Sequence, residues 1–310
     1  MTSAAGGALR IATRASALAI WQAEHVTDLL RAAHPGLEVM LVSMTTEGDR
    51  RLEVPLSEIG GKGIFATEVQ ASVLAGHADL AVHSAKDLPA VTADTLRLAA
   101  VPTRGDARDA LVGNTLESLP EGGVVATGSM RRRVLLAELR PDLVFAELRG
   151  NMATRLAKAT DFDAIVVAAV AFERLGLGEH LEQILPVDTF VPQVAQGALA
   201  VECRADDDAT AALLAAIEDP ASRRRVDAER AFLAELGGDC TLPAAAHAEL
   251  VGPDGSAVGD DDVVADAQLL LHAVLADRVG GRVLRRAERG SDPQALGHAV
   301  AASLHAELNP

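Results

Sequence analysis

Three patterns in the sequence predict an α/β protein with two similar lobes followed by a smaller α+β domain. Residues 9–82 alternate strand and helix, and the alternation restarts near residue 103. Past residue 218 it gives way to a long helix, a hairpin pattern around Gly280–Gly281 and a closing helix. Strand–helix alternation builds largely parallel sheets covered by helices. At 310 residues the chain is too long for one ordinary core. The expected division is residues 1–102 with 198–217 as the first lobe, 103–197 as the second, and 218–310 as the third domain.

In the first lobe, Leu9–Thr13 reads as a strand. Ser16 caps a helix in which Leu18, Trp21, His25 and Leu29 follow helical spacing. His25 on that helix is a packed residue rather than a ligand. Pro35–Gly36 ends the unit, Leu37–Met44 returns as a strand, a helix over about Ile64–Leu74 follows, and Ala78–Val82 is the next strand. In the second lobe, Val124–Thr127 is a short strand. Ser129 caps the helix Arg131–Leu139, and Pro141 closes it. Leu143–Leu148 is a strand, Asn151–Ala159 a helix and Ala164–Ala168 a buried strand. Leu199–Glu202 is strand-like and is expected to rejoin the first sheet. The third domain reads as a helix over Ser222–Leu236 broken at Gly237–Gly238, hairpin strands Ala267–Leu275 and Arg282–Glu288, and a helix over Ala295–Leu308. The Gly- and Asp-rich stretch 252–262 reads as a solvated loop.

Composition narrows the function. Hydrophobic residues make up 49% of the chain and aromatics 2%, so the cores rest on Ala, Val, Leu and Ile. A net charge of −16 opposes the counterion release that drives duplex binding. The few aromatics offer little stacking for single strands, so nucleic acid is not an expected partner. The longest apolar run, Ala164–Phe172, is far short of the roughly 20 residues that span a bilayer. With no export pattern at the N-terminus, a soluble cytoplasmic protein is expected. Cys203 and Cys240 give neither a disulfide framework nor ligand spacing. Cys240 with His247 lacks two further ligands, so no metal is expected.

Against this acidic background, cations recur where strands run into helices. Arg14 follows a strand, and Lys62 lies in Gly60-Gly61-Lys62-Gly63. Lys86 follows His83-Ser84, and Arg131, Arg132 and Arg133 open a helix behind Thr127 and Ser129. Arg149 and Arg155 flank Asn151, and Arg174 ends the apolar run. Cations, hydroxyls and free N–H groups at helix starts suit carboxylate or phosphate. Any one arginine is better read as part of a solvated helix face, but repetition at five junctions favours a shared polyanion site. The Gly60–Gly63 loop lacks Walker spacing and is no P-loop. Asp87, among these cations, is either a stabiliser of developing positive charge or a turn aspartate before Pro89. Cys240, on the turn Gly237–Pro243, is either a reactive thiol or a small buried hydrophobe; Cys203 fits the second description better.

Together these segments resemble the porphobilinogen deaminase (hydroxymethylbilane synthase) family. The matching pieces are Ile11-Ala12-Thr13-Arg14-x-Ser16, Gly60–Gly63, His83–Pro89, Thr127–Arg132, Leu148–Asn151 with Thr154–Leu156, Arg174–Gly176, Gln196–Ala198 and Glu229–Phe232 before the Cys240 turn. The resemblance implies two lobes like type II periplasmic binding proteins, with a third domain carrying the cysteine. It implies a dipyrromethane cofactor on Cys240 in thioether linkage. Four porphobilinogens add head to tail, each losing ammonia, and hydrolysis releases hydroxymethylbilane. The implied partners are porphobilinogen and its oligopyrrole intermediates, bound by a monomer. Asp87 would stabilise the cationic azafulvene near the pyrrole nitrogens. Arg14, Ser16, Lys62, Ser84, Lys86, Thr127, Ser129, Arg131, Arg132, Arg149, Arg155, Arg174 and Gln196 would hold the ring carboxylates, with Gln22 and Asp49 nearby and Arg104 and Arg133 less closely matched.

Two positions depart from the family pattern: Asp239 where glycine usually precedes the cysteine, and Ala171 where glycine is common. A carboxylate at 239 is expected to disfavour the neighbouring thiolate and slow cofactor loading, and a methyl at 171 to narrow the cleft. The rival function is a two-lobed binder of a small carboxylate without chemistry.

Overall fold

The computed structural model describes residues 7–46, 66–237, 243–258, 267–277 and 281–309. Among these, 7–46, 66–104 and 198–223 form one compact unit, and 105–197 with the residues from 224 onward form another. The first unit opens with β1 (Leu9–Arg14), α1 (Ala17–Ala33), β2 (Val39–Met44), α2 (Thr67–Leu74), β3 (Leu80–Ser84) and β4 (Leu96–Ala100). The second holds β5 (Asp109–Val112), β6 (Val124–Ala126), α3 (Met130–Leu139), β7 (Val144–Ala146), α4 (Met152–Ala157), β8 (Ala164–Ala168), α5 (Ala169–Glu173) and β9 (Gln183–Ile184). The chain then returns for β10 (Leu199–Arg204) and α6 (Asp208–Leu214). It continues through α7 (Pro220–Glu235), β11 (Ala244–Val251), β12 (Gln268–Ala276), β13 (Val283–Gly290) and α8 (Pro293–Leu308).

The two five-stranded sheets follow one plan. Their orders are β2-β1-β3-β10-β4 and β7-β6-β8-β5-β9. In each, the first three strands are parallel and the fourth runs antiparallel to both of its neighbours. This is the type II periplasmic-binding-protein arrangement, in duplicate. The expected return of Leu199–Glu202 to the first sheet is seen as β10. The antiparallel insertion makes each sheet mixed rather than wholly parallel.

The caps at Ser16 and Ser129 act where the sequence places them, and Asn151, read as the first residue of its helix, is a third cap. Ser16 Oγ accepts from the Ala19 N–H, Ser129 Oγ from the Arg132 N–H and Asn151 Oδ1 from the Thr154 N–H. The buried face of α1, with Ala23, Val26 and Leu30, packs on Ile11, Leu80, Val82, Leu199 and Val201. Each such Val, Leu or Ile stabilises the lobe by roughly 1.5–3 kcal/mol. His25 stacks on Trp21 with ring centroids 5.1 Å apart, as a packed helix residue.

In the second unit the lobe and the C-terminal sheet share a core. Leu135, Leu136, Val166 and Phe190 pack with Ala245 and Val274. The order β11-β12-β13 is antiparallel throughout. α8 crosses α7 at Gly297, where a Cβ would stand 2.3 Å from the Ala228 carbonyl oxygen, so only glycine allows that approach. β11 was not expected. Its alanine-rich start favours a helix by propensity, but pairing with β12 along all eight residues prevails.

Candidate functional site

In the first unit, the parallel register sets Ile11 beside Leu80 and Ala12 beside Ala81. Arg14, ending β1, and Ser84, ending β3, therefore lie at the same sheet edge, the C-terminal edge where open α/β sheets bind ligands. Gln22, buried on α1, donates from Nε2 to Ser84 Oγ at 2.8 Å and joins the two junctions. A short 3-10 turn, Ala85–Asp87, follows β3, closed by the Leu88 N–H on the Ala85 carbonyl. Lys86 and Asp87 are both half-buried there. No hydrogen bond or ion pair engages the Asp87 carboxylate among the described residues.

In the second unit, three parallel strands deliver three basic junctions to one edge. After β6, Thr127 is buried and its Oγ1 accepts from the Ser129 N–H at 3.2 Å. After β7, Gly150 takes φ +115, a conformation that disfavours any side chain. Its carbonyl accepts from Arg155 Nε at 2.9 Å. Arg149 is half-buried, with Nη1 enclosed and without a hydrogen-bond partner. After β8 and α5, Arg174 Nη2 donates to the Gly197 carbonyl at 2.8 Å. Burial pulls Arg174 down to about 10, which leaves it charged at neutral pH. Ala171 on α5 is buried. Arg133 turns its guanidinium back to the Thr127 carbonyl and Glu147. Arg104 belongs to the first unit, where its N–H donates to Ser222 Oγ.

Asp109, which no sequence motif marks, gathers three expected site residues. It is fully buried at the start of β5. Arg132 donates to Oδ1 from Nε at 3.1 Å and Nη2 at 2.7 Å, and from Nη1 to the Val166 carbonyl. Arg131 Nη2 stands 2.7 Å from Oδ2, while Nη1 donates to the Val191 carbonyl. Gln196 Nε2 donates to Asp109 Oδ1 and to the Ala107 carbonyl. Burial alone would raise the Asp109 pKa, but Arg131, Arg132 and Gln196 outweigh it and hold the group at about 2. Arg131 and Arg132, 5% and 6% exposed, are thus fixed from behind by a carboxylate. The only sequence signal was an acidic residue abutting the apolar run Ala110–Val112.

The wider comparisons agree with the motif order. Residues 9–212 match "Porphobilinogen deaminase, dipyromethane cofactor binding domain", and residues 223–306 match "Porphobilinogen deaminase, C-terminal domain". The chain belongs to the porphobilinogen deaminase family. A porphobilinogen deaminase of Acidithiobacillus ferrooxidans is 45% identical over 304 residues, covering 96% of this chain and 95% of that one. One of Roseiflexus castenholzii is 46% identical over 303 residues, with the same coverage. A solved TRAP periplasmic solute-binding protein of Ralstonia eutropha H16 is a distant likeness, 15% identical with a TM-score of 0.39, covering 75% of this chain and 82% of that chain.

Within the family's cofactor-binding domain, the described residues hold every expected binding position except Lys62. Lys62, Asp49, Asp239 and Cys240 lie outside the described residues. Cys203 is buried on β10, and burial pushes its thiol up to about 11, which suits an inert core residue. A surface groove of about 380 Å³ between β13 and α8 is lined by none of the expected site residues. No helix among the described residues is long and apolar enough to cross a membrane.

Proposed function

We propose that this protein is a porphobilinogen-deaminating transferase. It condenses four porphobilinogens head to tail on a dipyrromethane held by Cys240 and releases hydroxymethylbilane. The observation that carries this reading is the succession of both family domains, at residues 9–212 and 223–306, with the cationic junctions in family order. A cytoplasmic monomer, with the three-domain division expected from the sequence, belongs to the same reading.

The residues present fit the cofactor. Its rings carry acetate and propionate groups, and Arg149 has an enclosed guanidinium nitrogen lacking an acceptor. When bound, the dipyrromethane supplies the terminal pyrrole to which each new unit is joined. Arg149, Arg155 and Arg174, in the segments that follow the parallel strands of the second lobe, hold ring carboxylates there. Arg131 and Arg132 present charge already fixed by Asp109, so little reorganisation is needed when a carboxylate arrives. In the first lobe, Arg14, Ser16, Ser84 and Lys86 hold carboxylates at the other sheet edge, as Lys62, Thr127, Ser129 and Gln196 do by their match to the family. Asp87, whose carboxylate no described residue engages, faces the cationic charge that develops on pyrrole nitrogen as ammonia leaves.

Intact-mass measurement of the purified protein tests this. The mass should exceed the sequence mass by one dipyrromethane, Cys240→Ser should remove the excess, and the wild type should consume porphobilinogen. Turnover without the adduct would overturn the tether; neither adduct nor turnover would leave a two-lobed carboxylate binder.

A further inference from the structure

The last two residues of β3 make an apolar strand polar on both of its faces. Leu80 and Val82 share a core with Val26 and Leu30 of α1, whereas Ala81 packs with Val69 and Val73 of α2. Alternation along the strand therefore sends Ser84 toward α1, where Gln22 donates to it, and His83 toward α2. His83 is 6% exposed, and its Nε2 stands 3.3 Å from Glu202 Oε2. Glu202 is 1% exposed on β10, opposite Ala81 in the register and so on the same face as His83. Gln70 on α2 donates from Nε2 to the same Glu202 oxygen at 2.8 Å.

A carboxylate and an imidazole buried this deep in a sheet come at a cost. An apolar pair of similar volume is often as stable as a buried ion pair, or more so. The contact is also poorly aligned, for His83 Nε2 is enclosed and makes no hydrogen bond with a described residue. Stability is thus a weak reason for the pair, and its place in the chain supplies a stronger one. From His83 the chain runs through Ser84 into the turn Ala85–Asp87. The Ala85 N–H donates to the Ala198 carbonyl at 3.0 Å, and the Leu88 N–H closes the turn on the Ala85 carbonyl. No described residue bonds to the Asp87 carboxylate, so its aim comes from the backbone of that turn. The strand entering the turn is held by Gln22 through Ser84 on one face, and by Glu202 through His83 on the other.

We propose that His83 and Glu202 are a positioning pair that aims the Asp87 carboxylate at the charge developing during turnover. This rests on the function proposed above and on the role given there to Asp87. The pair acts through the backbone of the turn, so its loss falls on the step that uses the Asp87 field. That step is read in kcat rather than in KM.

The test is His83→Gln, which keeps a polar side chain and removes the ring, made alone and together with Asp87→Ala. Turnover of porphobilinogen is expressed per adduct-bearing molecule, counted by intact mass. Alone, His83→Gln should lower kcat about tenfold and leave KM within about twofold, in protein that retains its circular dichroism and a cooperative melt. Added to Asp87→Ala, it should lower kcat no further, because no carboxylate remains to be aimed. A wild-type kcat, or the same fold-loss in both backgrounds, would make His83 a packing residue and overturn the proposal. Should His83→Gln not fold, Glu202→Gln, which leaves Gln70 an acceptor, is judged by the same two criteria. Near-normal turnover of Asp87→Ala alone would remove the object of the pair and the proposal with it. Absence of both adduct and turnover from the wild type would instead refute the function itself, so the failures are separable.

Discussion

Asp87 and Asp109 are both aspartates near arginines or lysines, one in each lobe, and their surroundings separate two uses of a carboxylate. Asp109 is fully buried at the start of β5 and is fully engaged by Arg131, Arg132 and Gln196. Asp87 is half-buried on a 3-10 turn after β3, and no described residue bonds to it. A carboxylate whose charge is already neutralised by two guanidinium groups has little left to offer a reaction; its field is spent on holding them. One left unpartnered beside a ligand edge keeps its field for a charge that appears only during turnover. Proximity to cations therefore does not by itself mark a reacting carboxylate.

The comparison breaks first at Asp87. Asp87→Ala should lower turnover by roughly 10²–10³-fold, the range for removing a group aimed at developing charge. The denaturation midpoint should barely move, since no described residue bonds to the side chain. Steady-state rates and chemical denaturation on the same preparation check both halves. Near-normal turnover would return Asp87 to the role of a turn residue.

Asp109→Asn should show the reverse emphasis. It leaves two adjacent buried guanidinium groups without their counter-charge, a loss of about 3–5 kcal/mol in stability. The pH dependence follows from the same pair. The folded pKa, at about 2, lies below the ordinary 3.8, so the stabilisation is complete above pH 4 and is lost as pH falls through 2. Wild type and Asp109→Asn should thus converge by on the order of 1 kcal/mol between pH 6 and pH 3. Urea titrations across that range decide it, because all other carboxylates titrate in both proteins. Parallel curves would mean that Asp109 titrates in the fold as it does in the unfolded chain.

Legibility in the sequence followed the range of the interaction. Caps at Ser16, Ser129 and Asn151 act within three residues and are readable from spacing. The strand–helix alternation is likewise local, and with the motif order it was enough for the fold class and the family. Asp109 meets Arg132 23 positions away and Gln196 87 positions away, and no local pattern encodes such a meeting. Glu229 stands in a recognisable segment, yet two of its partners are backbone N–H groups, which carry no sequence signature. β11 was missed because its alanines favour the other state.

Ser129 provides the finest division between holding and binding. Its hydroxyl accepts from the Arg132 N–H and starts the turn that presents Arg131 and Arg132, while the function proposed above also sets it against a ring carboxylate. Ser129→Ala should cost about 1 kcal/mol in stability, whereas Ser129→Gly, a tolerable cap, should cost only a few tenths. If capping is the whole role, KM for porphobilinogen should follow the same ranking, with the glycine variant close to wild type. If the hydroxyl also bonds a ring carboxylate, both variants lose that bond equally. KM then rises by a similar factor in each while their stabilities differ. Measuring denaturation and KM side by side separates the cap from the ligand, because glycine can replace a helix cap but cannot replace a hydroxyl donor.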